Sequence, residues 1–127
     1  MTNIILVPAS LGELVDKITI LEIKTKKLKG DALSNVDKEL SLLRETLSKS
    51  NIIINPKVIE ELRQINQTLW EVEDEIRNHE RQNNFGESFI NLARSVYKCN
   101  DQRAAIKRLI NIDHNSRITE EKFYQDY

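Results

Sequence analysis

An all-α, bundle-like protein is what this sequence predicts, and three observations carry the prediction. Only three glycines and two prolines occur in 127 residues, so positions that break a helix are few. Apolar residues recur at the i, i+4, i+7 spacing of a helix with one buried face in four separate stretches. Turn-forming residues fall between those stretches, at Gly30, Asn51 to Pro56 and Asn83 to Gly86. A chain of this length forms one core, so residues 1–127 are read as a single helical domain.

The first helix opens on a capping box. Ser10 is its N-cap and Glu13 stands three residues on, the pair that satisfies free N–H groups reciprocally. It is predicted to run to about Lys29 and to stop at Gly30 as a left-handed cap, with Leu14, Ile18, Leu21 and Leu28 as its stripe and Leu11 and Val15 widening the face. A second helix is predicted from about Ser34 to Lys49 on Val36, Leu40, Leu43 and Leu47, with Asp31 to Asn35 as the connection. Three consecutive isoleucines, Ile52 to Ile54, read as an extended connector, which gives the fold room for a minor two-stranded ribbon with Ile4 to Val7; buried coil is the equal alternative.

Asn55-Pro56 then sets the N-cap and first residue of a third helix, whose Val58, Leu62, Ile65, Leu69, Val72 and Ile76 sustain the spacing to Asn83-Asn84. Phe85-Gly86 breaks the chain before a fourth long helix carrying Phe89, Leu92, Ala93, Val96, Ile106 and Ile110. A connection this short makes antiparallel neighbours, so two shorter helices pack with a long antiparallel hairpin. From Asp113 the tail is polar until Thr119 to Tyr127, where one or two closing turns would carry Phe123 and Tyr124.

Charge and cysteine content narrow the function classes. A formal net charge of -1 with 31% charged residues gives no general attraction for phosphate backbones, so no nucleic-acid partner is expected. Lys24, Lys26, Lys27 and Lys29 cluster at a helix C-terminus, where they complement the dipole. The lone Cys99 forms no internal disulfide and no Cys/His spacing matches a zinc site, which fits a cytoplasmic protein without metal or cofactor. Ile4 to Val7 lacks the basic start and length of a secretory signal and no run approaches a membrane span, so no membrane association is expected.

The candidate site is a polar interruption. Asn100, Arg103 and Lys107 fall within the apolar stripe of the fourth helix, and Asn66, Glu73 and Glu80 lie beside the stripe of the third. Counting back from the hairpin turn at equal rise per residue, Asn66 stands level with Arg103, with Glu73 about two turns away and within reach of a long guanidinium fork or through Asn100. The cluster is then a buried ion-pair lock that fixes register, an anion-binding floor in which Arg103 and Lys107 hold the ligand and Glu73 acts as acid, base or orienting carboxylate, or an interface where these residues meet a second subunit. A secondary candidate is the first helix's opposite face, with Glu13, Asp16, Lys17, Ile20, Ile23, Lys24 and Lys27. Glu13 and Asp16 have the spacing to ligate a divalent cation, but the capping box and Lys17 at i+4 favour ion pairing instead. Cys99 lies more than two turns from His79, which excludes a Cys–His nucleophile pair in this hairpin. Trp70, the one tryptophan, suits either a core edge or a binding surface.

The acidic run Glu71 to Glu75 invites comparison with all-α nucleotide pyrophosphatases, but the fourth helix offers only Asp101 and Glu87 where that chemistry needs a matching Glu-x-x-Asp pair. A longer resemblance spans nearly the whole chain. Ser10-Leu-Gly-Glu-Leu-Val-Asp-Lys-Ile-Thr-Ile-Leu-Glu-Ile-Lys24 resembles the amino-terminal signature of a bacterial family known as a domain of unknown function. Leu69 to Arg77 and Phe89 to Arg108 resemble its later blocks. The resemblance implies no reaction, ligand or partner. It directs attention to Glu13, Asp16, Lys17, Trp70, Glu73, Asp74, Arg77, Asn100, Asp101, Arg103 and Lys107, which stand within its motifs. The first functional reading is thus a non-enzymatic helical interaction or assembly module with a buried polar network. The alternative is a binder of, or enzyme on, a small anionic substrate bearing phosphate or carboxylate. An exposed stretch of hairpin stripe would favour a homodimer.

Overall fold

A computed structural model describes residues 3–127. Four helices make up the fold: α1 (Leu11–Lys27), α2 (Gly30–Lys49), α3 (Pro56–Arg81) and α4 (Glu87–Asp113). The central element is α1, which packs against each of the other three, while α2 lies against α1 and has no comparable contact with α3 or α4. This position explains why α1 is buried on two faces: Leu11, Val15, Ile18 and Leu21 are in the core, and so are Gly12, Asp16, Thr19 and Ile23.

Two apolar clusters hold the elements together. Leu11 and Val15 of α1 meet Leu62 of α3, Ile110 of α4 and Ile54 of the α2–α3 connector. Ile18 and Leu21 meet Val36 and Leu40 of α2, with Leu14, Leu28, Leu43 and Leu47 packed around them. The connector is buried coil at Ile54, while Ile4 to Val7 are exposed and unpaired, so the two-stranded ribbon does not form; no strand occurs among the described residues.

Two boundaries differ from the sequence expectation. α1 ends at Lys27, two residues early, because Leu28 turns extended (φ -101°, ψ 158°) to place its side chain against the α1–α2 cluster. α2 starts at Gly30, four residues before Ser34. Gly30 is left-handed (φ 65°), as a cap glycine should be, but it reverses the chain straight into α2, whose first turn gains Asp31 at its positive end. The other three helices end on asparagine: Asn51, Asn83 and Asn115 have φ of 58°, 53° and 50°. After α3 and α4 the N–H three residues past the helix end reaches back five positions, Asn84 to His79 O (2.9 Å) and Ser116 to Asn111 O (2.8 Å), which satisfies carbonyls the helix leaves free. Asparagine is the non-glycine residue that tolerates this conformation best, and a chain with three glycines uses it three times.

The N-terminus of α1 is docked on the C-terminus of α4. Three of its free N–H groups find side-chain acceptors: Leu11 donates to Ser116 Oγ (3.2 Å), Gly12 to Asn111 Oδ1 (2.7 Å) and Glu13 to Ser10 Oγ (3.1 Å). Gly12 is indispensable to that approach, since a Cβ there would run into the Lys107 backbone carbonyl.

At the other end, the hairpin outruns its cover. Every fully buried residue of α3 and α4 lies between Leu62 and Leu69 or between Lys107 and Asn111. Beyond them Val72, Ile76, Phe89, Leu92 and Val96 are only half-buried, and Phe85, Ile90 and Tyr97 are exposed. From Trp70 to Arg81 this arm extends about 18 Å at the usual helical rise. The C-terminal tail returns along α4 without forming the expected turns. Charge pairs of opposite sign hold it extended, Glu121 to Arg108 (3.0 Å) and Lys122 to Asp101 (3.3 Å), while Phe123 and Tyr124 face solvent.

Gly12→Ala should therefore lower unfolding stability by about 1–3 kcal/mol, the usual cost of forcing atoms into a closed contact. Gly86→Ala, where an added Cβ meets only Asn84 Oδ1 at 3.6 Å, should leave the urea midpoint nearly unchanged. Urea unfolding of both variants checks the contrast.

Candidate functional site

The polar residues that interrupt the α4 stripe converge on one carboxylate, that of Asp16, which is 1% exposed. Arg103 grips it with both arms of its fork, Nε to Oδ1 at 2.9 Å and Nη2 to Oδ2 at 2.5 Å. Asn66, 5% exposed, donates from Nδ2 to Asp16 Oδ1 (2.9 Å) and to Thr19 Oγ1 (2.8 Å). Thr19 Oγ1 passes its own proton to the Asp16 carbonyl (2.8 Å), so its lone pair is free for Asn66. Lys107 Nζ stands 3.9 Å from Asp16 Oδ2, and is held by Glu13 (2.6 Å) and Glu120 (2.9 Å). Among the described residues no buried side-chain nitrogen or oxygen lacks a partner.

α1, α3 and α4 each supply part of this network, and its geometry follows from their registers. Glu13 and Asp16 lie one turn apart on α1, and Arg103 and Lys107 one turn apart on α4, so two antiparallel faces pair residue for residue. Burial pulls the Lys107 ammonium down, but hydrogen bonds to Glu13 and Glu120, with the Asp16 charge behind them, outweigh it and hold the group above its ordinary value. The Arg103 guanidinium is likewise held up, chiefly by its bonds to Asp16. The Glu120 carboxyl, bonded to Lys107, is held below its ordinary range.

The primary and secondary candidates thus join, with several corrections. Arg103 does not contact Glu73; it turns to Asp16, because α1 lies against this end of the hairpin and brings a carboxylate closer than two turns along α3. Glu73 pairs with Arg77 on the α3 surface (3.7 Å). Lys17 does not neutralise Glu13; it pairs with Glu39 of α2 (3.0 Å), while Glu13 faces Lys107 and leaves the reciprocal half of the capping box unmade. Asp101 points away from the network to Lys122 and to the Tyr127 hydroxyl. Glu80 is exposed far along the arm. Asn100 stays near, accepting a long bond from Arg103 Nη1 (3.5 Å).

Arg103 also lines two openings. One is a basin of about 240 Å3 under the tail, lined by Lys107, Arg108, Asn111, Glu120, Lys122 and Tyr124 among others. The other is a cleft of about 540 Å3 between α3 and α4, closed at one side by Ile20 of α1 and lined by Asn66, Leu69, Trp70, Glu73, Asp74, Arg77 and Asn100. The sequence does not single out Thr19 and Glu120 of the network, nor Asn111 and Ser116, which accept the first N–H groups of α1 beside it. Thr19 stands one turn from Asp16 on the face whose two isoleucines signal burial, but nothing in the sequence marks Glu120, which reaches Lys107 through a tail without periodicity. Among the described residues no group of three or more His, Cys, Asp or Glu could hold a metal ion, and no helix is long and apolar enough to cross a membrane.

Fold and site define an all-α protein in which a central helix is locked to a long hairpin through one buried carboxylate. Residues 5–127 match the model of a family of unknown function, DUF6165. The chain belongs to that family, which carries no assigned activity. No curated protein and no solved structure matches it.

Arg103→Ala leaves Asp16 charged and buried, and should cost about 3 kcal/mol, the lower end for a broken buried pair because the guanidinium is 28% exposed and water can follow it in. Lys107→Met should cost only about 1 kcal/mol, since Glu13 and Glu120 are both more than one-third exposed and rehydrate. Equilibrium unfolding of the two variants measures the difference. On acidification the Glu120–Lys107 contact, formed above the ordinary carboxylate value of 4.5, should be lost as pH falls through the lowered value in the folded protein. Faster proteolysis of the tail well below pH 4.5, with the helices still folded by circular dichroism, checks it.

Proposed function

We propose that this protein is a non-enzymatic helical interaction or assembly module, in which the Asp16 network fixes the base of the hairpin and the outstretched arm docks onto a second copy. The observation that carries this reading is the arm itself: Phe85 and Ile90 are exposed, and Tyr97 meets only Tyr127 of the tail among the aromatic rings, on the part of the hairpin beyond the residues buried against α1. Charge supports a second copy as the occupant. The arm of α3 carries Glu71, Glu75 and Glu80 in excess over Arg77 and Arg81, and the facing stretch of α4 carries Arg94 and Lys98 against Glu87. A two-fold arrangement brings α3 of each protomer beside α4 of the other, with opposite charges at the rim of an apolar seam.

The network supports an architectural role more than a catalytic one. The Asp16 carboxylate is fully engaged by Arg103, Asn66 and Lys107, and leaves no unpaired acid or base. A cytoplasmic setting fits the single free thiol, Cys99.

Light scattering coupled to size exclusion should give twice the 14.8 kDa chain mass at micromolar concentration. Ile90→Glu, and separately Phe85→Glu, should weaken self-association by at least roughly a hundredfold, the loss of a central apolar contact plus a buried charge, with little change in monomer melting. A monomeric wild type at that concentration would sink the reading.

A further inference from the structure

We propose that the cleft between α3 and α4 beside Trp70 binds a small zwitterion with an apolar side chain, of the class of the free aliphatic and aromatic α-amino acids. The Asp16 network fixes the orientation of the Asn66 amide. Its amide nitrogen is spent on Asp16 and Thr19, and turning the amide over would place its oxygen against the Asp16 carboxylate. The oxygen is therefore fixed as the free end of the amide. It accepts no hydrogen bond from the described residues, and since no buried polar atom there is left without a partner, it keeps contact with solvent in the cleft that Asn66 lines. An acceptor held this way on a residue 5% exposed is a directed group.

The rest of the cleft is divided by wall. The α3 wall offers acceptors: Asn66 Oδ1, Glu73, and Asp74, which makes no ion pair or side-chain hydrogen bond with the described residues. The α4 wall offers donors. Arg103 uses three of its five N–H groups on Asp16 and Asn100, leaving two, and the Asn100 amide nitrogen has no acceptor among the described residues. Ile20, Leu69 and Trp70 form the apolar surface between them.

A ligand that meets both walls carries an ammonium toward Asn66, Glu73 and Asp74, a carboxylate toward Arg103 and Asn100, and an apolar body against Trp70. A lone anion fits less well: Asp16 already neutralises Arg103, and two rim carboxylates face a single further cation, Arg77. The volume of about 540 Å3 is within the range of small-molecule sites. Phe85 and Ile90, whose variants test self-association, do not line this cleft, so those variants leave its lining intact.

Trp70 is the only tryptophan and lines this cleft, so its emission responds to a ligand bound there. Titration of the full chain with L-leucine and L-phenylalanine should give a saturable emission change with a matching calorimetric heat. N-acetyl-leucine lacks the ammonium and leucinamide lacks the carboxylate; each should bind roughly ten- to a hundredfold more weakly, the usual loss of a charge-assisted hydrogen bond. The double variant Glu73→Gln/Asp74→Asn, with melting temperature unchanged, should weaken leucine binding by at least roughly tenfold. Absence of any saturable response to about 10 mM ligand would overturn the proposal, as would equal binding of the three leucine compounds or undiminished binding to the double variant. Saturation by inorganic phosphate without response to amino acids would overturn it in favour of an anion site.

Discussion

A carboxylate buried to 1% exposure must be paired, and Asp16 sets the terms on which three helices meet. Arg103 supplies the countercharge, Asn66 and Thr19 complete the hydrogen bonds, and Lys107 stands behind them. An apolar core tolerates sliding by a turn if volume is conserved, because contacts among leucines and isoleucines are interchangeable. The bidentate Arg103 fork does not. Moving α4 by one turn against α1 would strand two charges, so the network selects a register that Leu11, Val15, Leu62 and Ile110 alone would leave weakly specified.

The same constraint reaches the helix ends. With Arg103 and Lys107 opposite Asp16 and Glu13, the last turn of α4 comes level with the first turn of α1, and this is where Asn111 and Ser116 accept the N–H groups that α1 leaves free. Close approach there requires Gly12. A capping box read from Ser10 and Glu13 is half right for this reason: Ser10 caps, but Glu13 has a cation facing it on α4, and an ammonium attracts a carboxylate more strongly than a neutral N–H does.

The helices, their order and the antiparallel hairpin were legible because each depends on local spacing, and α3 begins at Asn55-Pro56 as the side-chain cap and N1 proline dictate. Misread boundaries are those where a long-range contact overrides the local signal, as at Leu28. The polar cluster was legible as an anomaly, since Asn100, Arg103 and Lys107 interrupt an apolar stripe, but its partner was not. Periodicity along the hairpin relates α3 to α4 and is silent about the angular position of α1, so Glu73 was the nearest carboxylate that sequence spacing could offer. Ile20 and Ile23 beside Asp16 marked that second face as covered, without identifying what covers it.

The burial of Asp16 also decides what the neighbouring cleft can present. An asparagine at a solvent-lined wall ordinarily turns its amide either way at little cost. Here the carboxylate behind Asn66 admits only the nitrogen, and the oxygen is left facing outward. Arg103 is constrained in the same way: two arms fixed on Asp16 leave the remaining N–H groups with one orientation. A group that serves the register of the bundle thereby also orients an acceptor from α3, Asn66, and donors from α4, those of Arg103, beside the cleft. The lock at Asp16 and the proposed amino-acid cleft are compatible because they call on different atoms of the Asn66 amide and of the Arg103 guanidinium.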